Sequence, residues 1–146
     1  MEKFEVTSFA DRLEMKAFCK NYHELLANCA YGMFSIISGK LLSKSLDQRK
    51  TELIKIPFTS DSETLVLFLN ELLYRSDMNN KVYCGFSFLE SPKEQLTFLA
   101  YYQKREKIKT PRYDSRQAKI KSVTFRRLKI KKNSQGELEA RVLFDI

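Results

Sequence analysis

Leu138-Glu139-Ala140-Arg141-Val142-Leu143-Phe144-Asp145-Ile146 reads as a strand, with Leu138, Ala140, Val142, Phe144 and Ile146 at every second position. A side-chain period of two is the signature of a half-buried strand. The sequence closes on this stretch, so the expectation is an end pinned into a sheet in place of a frayed polar tail. The Asp145 carboxylate and the main-chain carboxylate of Ile146 are then expected side by side. Two anions held together repel each other unless a cation or a basic partner lies there.

Working outward, Asn133-Ser134-Gln135-Gly136 reads as the turn feeding this strand, with Gly136 free to take a left-handed conformation. Ile120 to Ile130 is a strand whose parity changes. Val123 and Phe125 share one phase and Leu128 and Ile130 the other, so a bulge is expected at Arg126-Arg127. Val82–Leu89 and Leu96–Tyr102 form a predicted hairpin around Ser91-Pro92-Lys93, and 105–119 is a polar, basic connection. Near the start, Phe4–Phe9 and Leu13–Phe18 are two short strands around a turn holding Asp11.

Two helices separate these strands. Asn21 with Glu24 caps the first, whose stripe is Leu25, Leu26, Cys29, Ala30, Met33, Phe34 and Ile37, ending at Ser38-Gly39-Lys40. Gly32 in that stripe costs a helix about 1 kcal/mol relative to Ala, which predicts close packing on a sheet. A polar loop leads to a strand at Thr51–Phe58, where Pro57 suits an edge. Ser60 with Glu63 caps a second helix over Leu65–Ser76. The order predicts an α+β two-layer sandwich, a mixed or antiparallel sheet with two helices on one face, as a single domain over residues 1–146.

The composition is that of an ordinary globular protein, 43% hydrophobic and 30% charged over 146 residues. No apolar run is long enough to span a bilayer, and Met1-Glu2-Lys3-Phe4-Glu5 does not read as a signal peptide. Three cysteines, Cys19, Cys29 and Cys84, lack metal or disulfide spacing and suit buried or half-buried free thiols in a reducing cytoplasm. Of the net charge of +8, the stretch Lys104–Lys132 holds thirteen Lys and Arg against Glu106 and Asp114, a local excess of eleven. A solvated hairpin face with a lysine-rich edge is the plain reading. An electrostatic footprint for RNA, through Arg126, Arg127 and Lys129, is the functional one.

Enzymatic motifs are missing. Four glycines (Gly32, Gly39, Gly85, Gly136) leave no phosphate-cradling loop, and Gly-x-Ser-x-Gly is absent. His23, the sole histidine, falls in the first helical turn and reads as an exposed side chain. Cys84 has no neighbour in sequence that would activate it. The Asp145–Ile146 carboxylates, with Asp11 in its early turn, are the remaining chemistry, and oxygen donors of this kind suit calcium or magnesium.

Three stretches resemble the archease family, the protein cofactors of RtcB-type RNA ligases. They are Lys16-Ala17-Phe18 with Glu24 through Phe34, then Leu69-Asn70-Glu71-Leu72-Leu73-Tyr74, then Lys121-Ser122-Val123-Thr124-Phe125 with Glu139 through Ile146. The resemblance implies a non-enzymatic activator that promotes guanylylation and repeated turnover of the ligase in tRNA splicing and RNA repair. It also implies a divalent ion, calcium or alternatively magnesium, held by Asp11, Asp145 and Ile146. Here the family's early His-Thr-Ala-Asp motif reads Ser8-Phe9-Ala10-Asp11, and its Val-Thr-Tyr-His reads Val123-Thr124-Phe125-Arg126. An ungapped alignment on Lys16-Ala17-Phe18 brings Arg12 to the early ligand position, and a one-residue insertion in the turn brings Asp11. Arg12, Arg126 or Arg141 would then be internal ion-pair partners for the Asp145–Ile146 pair.

Overall fold

Local periodicity assigns segments of the chain to strands and helices. The computed structural model describes residues 4–8, 12–38, 50–104, 120–124 and 130–146, apart from the Ser8 side chain. Among them are β1 (Phe4–Ser8), β2 (Arg12–Cys19), α1 (Tyr22–Ser38), β3 (Thr51–Pro57) and α2 (Asp61–Asn79). The chain continues through β4 (Lys81–Leu89), β5 (Gln95–Lys104), β6 (Ser122–Thr124), β7 (Ile130–Lys132) and β8 (Leu138–Asp145).

The α+β class is as the patterning predicts, and the strands divide between two antiparallel sheets. One runs β1-β2-β8-β6, with β7 also pairing β8; the other runs β3-β5-β4. Both helices pack against strands of both sheets: α1 on β2, β8 and β4, and α2 on β3, β4 and β6. One hydrophobic cluster therefore joins the two sheets through the helices, from Met15 and Phe144 to Phe68 and Phe98.

The helix ends follow their capping residues. Asn21 Oδ1 accepts from the Glu24 N–H at 2.9 Å, and Ser60 Oγ accepts from the Glu63 N–H at 3.2 Å. Helix α2 outruns its predicted stop at Ser76 because Asn80 takes the left-handed conformation (φ 52°) and its N–H reaches the Ser76 carbonyl. A Cβ on Gly32 would overlap Met15 Sδ and sit 3.1 Å from the Phe4 ring, so close approach of α1 to β1 and β2 explains the glycine. Gly136 adopts φ 77° in the turn before β8, as expected. Pro57 ends β3, an edge strand.

All three cysteines are buried free thiols. Cys84 is the extra residue at a bulge between Tyr83 and Gly85, its Sγ 3.5 Å from the Tyr101 carbonyl. Burial pushes the Cys29 thiol up, and it likewise pushes up the phenols of Tyr22 and Tyr83. These groups stay protonated in the fold but ionise in the unfolded chain, near their ordinary values of 9.0 and 10.0. Their stabilising contribution is full below pH 9 and is lost as pH rises. Cys29 alone implies a loss of about 1.4 kcal/mol per pH unit above 9. Lys81 opposes this in part: burial lowers its pKa, so the unfolded chain binds its proton more tightly near pH 10.5 and stability gains there as pH rises. Urea unfolding between pH 8 and 11 is expected to show a falling midpoint. A flat midpoint would contradict the placement of Cys29.

Candidate functional site

Strand β8 lies between β2 and the β6–β7 edge, so its residues acquire neighbours from both ends of the sequence. Val142 and Phe144 enter the core with no exposed surface, while Arg141 is exposed and Leu143 and Asp145 are half-buried on the other face. Glu139 departs from the expected alternation. It is buried on the polar face, with Lys16 Nζ 3.9 Å away.

Asp145 pairs with Arg12 on β2 and with Ser122 on β6. Residues directly opposite in an antiparallel ladder share a face, so Arg12, Asp145 and Ser122 form one row across the sheet. Ser122 Oγ donates to Asp145 Oδ2 at 3.0 Å, and the Lys121 N–H donates to the Asp145 carbonyl at 2.7 Å. Ile146 packs against the core beyond the end of the strand. Asp11, Arg126, Arg127 and Lys129 lie outside the described residues, as does the bulge expected at Arg126-Arg127. The flanking register nevertheless shows the parity change. Five residues separate Thr124 from Ile130, but only two separate their partners Leu143 and Ala140.

Of the expected ion-pair partners, Arg141 instead meets Glu14 (Nη1–Oε1 3.7 Å), and Arg12 is the row neighbour of Asp145. Among the described residues, no group of three or more His, Cys, Asp or Glu could hold a metal ion. Asp145 offers the hard oxygen donor that calcium or magnesium requires, but one carboxylate is far short of a full shell. Of the basic stretch, Lys104, Lys121, Lys131 and Lys132 are described and exposed. His23 is exposed as predicted and stacks on Phe88, with ring centroids 4.6 Å apart.

Two arrangements escaped the sequence reading. Asn70 on α2 donates from Nδ2 to the Val123 carbonyl (3.2 Å) and accepts at Oδ1 from the Val123 N–H (3.1 Å). Its amide therefore serves β6 as a strand partner would, one residue from Ser122. An Asn inside a leucine-rich helical stripe, where its propensity is poor, was the available signal. Asn70→Ala is expected to destabilise by about 1–3 kcal/mol, since it orphans a backbone donor and acceptor. Urea unfolding and amide exchange at Val123 check this, and unchanged Val123 protection would refute it. The second arrangement is a part-buried charge cluster. Glu52 accepts from Arg75 (3.0 Å), Tyr83 OH (3.1 Å) and Lys81, and Arg75 also meets Glu71 at 2.8 Å. It ties β3, α2 and β4 together.

Antiparallel sheets bridged by two helices are an arrangement that solved structures share. The model of the Archease protein family matches residues 5–146, so the chain belongs to the archease family. Among its relatives is "Protein archease" of Methanothermobacter thermautotrophicus, 26% identical over 147 residues, covering 99% of this chain and 97% of that one. The solution structure of protein 1598 from Methanobacterium thermoautotrophicum is similar over the whole of both chains, with a TM-score of 0.74 and 21% identity. The crystal structure of a Thermotoga maritima archease, termed a possible chaperone, has a TM-score of 0.59 and 16% identity, covering 91% of this chain and 89% of that one. No helix among the described residues is long and apolar enough to cross a membrane.

Proposed function

We propose that this chain is a non-enzymatic activator of an RtcB-type RNA ligase, promoting its guanylylation and repeated turnover in tRNA splicing and RNA repair in the cytoplasm. Family membership across residues 5–146 is the observation that carries this reading. The absence of nucleophilic and phosphate-binding motifs from the sequence agrees with an assisting role, as does the possible-chaperone description of the Thermotoga maritima relative. In this reading Asp11, Asp145 and the Ile146 carboxylate hold a divalent ion, calcium or magnesium, which would screen the terminal carboxylates and bind further oxygen ligands. Ser122 holds one oxygen of Asp145 and so orients the other. The basic stretch 104–132 would face RNA held by the ligase.

Arg12 favours a second reading. Its place opposite Asp145 lets a guanidinium take the position of a cation, giving an RNA-binding or adaptor module without the ion. Substoichiometric protein added to an RtcB-type ligase with GTP and broken RNA is the test of the first reading. A clear rise in turnover is expected, and none across several such ligases would end it. Calorimetry with calcium and magnesium decides the ion separately, because binding of neither leaves the Arg12 arrangement.

A further inference from the structure

Helix α2 turns a stripe of apolar side chains away from the core. Leu67, Tyr74 and Met78 are 40%, 62% and 65% exposed, and their spacing of seven and four residues places them on one face. Glu63, exposed, and Glu71, half-buried, lie on the same face. The helix carries Asp61, Glu63, Glu71 and Asp77 against Arg75 alone, a charge of −3 inside a chain of +8. No helix needs large apolar groups on its solvent side, and Tyr and Met are enriched where proteins meet.

We propose that this acidic, apolar stripe is the surface by which the chain docks on its ligase, which rests on the function proposed above. The partner's chemistry follows from complementarity. An enzyme that binds RNA presents Lys and Arg around its nucleic-acid channel. A basic rim with an apolar pocket would take Tyr74 and Met78 as anchors and pair with Glu63, since Glu71 is already held by Arg75. The basic stretch 104–132 would be repelled by that same rim, so the two charge regions of this chain have different targets. Position supports the choice. Asn70, on the flank of the stripe, is bonded to Val123, and Ser122 beside it holds Asp145. A ligase docked on α2 would lie next to β6, the strand whose Ser122 bonds Asp145.

The test is titration of the ligase with wild type and with Tyr74→Lys/Met78→Lys, reading both binding by fluorescence anisotropy and stimulation of turnover. Circular dichroism and the thermal midpoint check that the variant folds, and Tyr74→Ala serves as a milder second variant. The expected result is an affinity weakened by about tenfold or more, with full stimulation recovered at saturation. If wild type binds and stimulates but the double variant matches it, the docking surface is wrong and the function stands. If wild type neither binds nor stimulates, the function fails and the docking surface falls with it. If sedimentation shows wild type self-associating through the stripe, with the double variant monomeric, a second copy is the occupant and the proposal is overturned.

Discussion

Asp145→Ala is expected to reduce stimulation of an RtcB-type ligase by about 100-fold or more while leaving the fold intact. Outer partners of a metal ligand are each worth about 10–100-fold, so loss of a ligand carboxylate sets at least that scale. Unlike the α2 variants, this one should not recover at saturating protein, because the defect lies in the site and not in docking. Its effect on stability is expected to be small, since Asp145 is half-buried and, among the described residues, its side chain accepts from the Ser122 hydroxyl. Calcium calorimetry on the same variant should show no binding where wild type binds. Stimulation by the variant within about threefold of wild type would remove Asp145 from the mechanism.

One residue earlier, the consequence reverses. Phe144→Ala is expected to lower stability by about 3–5 kcal/mol, the range for a buried Phe reduced to Ala. Phe144 is fully buried and pairs with Leu13 on one side and Val123 on the other, both core residues. Such a loss is a large part of the roughly 5–15 kcal/mol that holds a domain together. Phe144→Leu should recover most of it, since a second large apolar group limits the cavity. Urea unfolding at fixed pH measures both variants, and a loss below about 1 kcal/mol for Phe144→Ala would be incompatible with the packing. Adjacent positions on β8 thus separate function from folding, because consecutive side chains on a strand point to opposite faces.

That alternation was legible in the chain, and so were the two capped helices, the turn at Gly136 and the close approach at Gly32. Each depends on residues a few positions apart, where propensity and period act directly. The parity change between Val123 and Ile130 was equally visible, since an odd offset moves apolar side chains from one face to the other. The site was only half legible. Asp145 stood out as a carboxylate on a strand end, but neither periodicity nor composition could place Arg12 opposite it. Asp11 and Arg12 are rivals for one position of the family motif; the register makes Arg12 the row neighbour of Asp145, and Asp11 lies outside the described residues.

By itself, then, the sequence determined which segments are helices and strands, which faces they bury, and that β8 carries Asp145 away from the core. The tertiary structure alone decided that the strands divide into two sheets and that Asp145 sits between Arg12 and Ser122. It also decided that Asn70 reaches from α2 to hold Val123 and that Glu52 gathers Arg75, Lys81 and Tyr83. The physical reason is distance along the chain. Asn70 and Val123 are 53 residues apart and Glu52 and Lys81 are 29 apart, so these contacts form only when packed layers bring remote segments together.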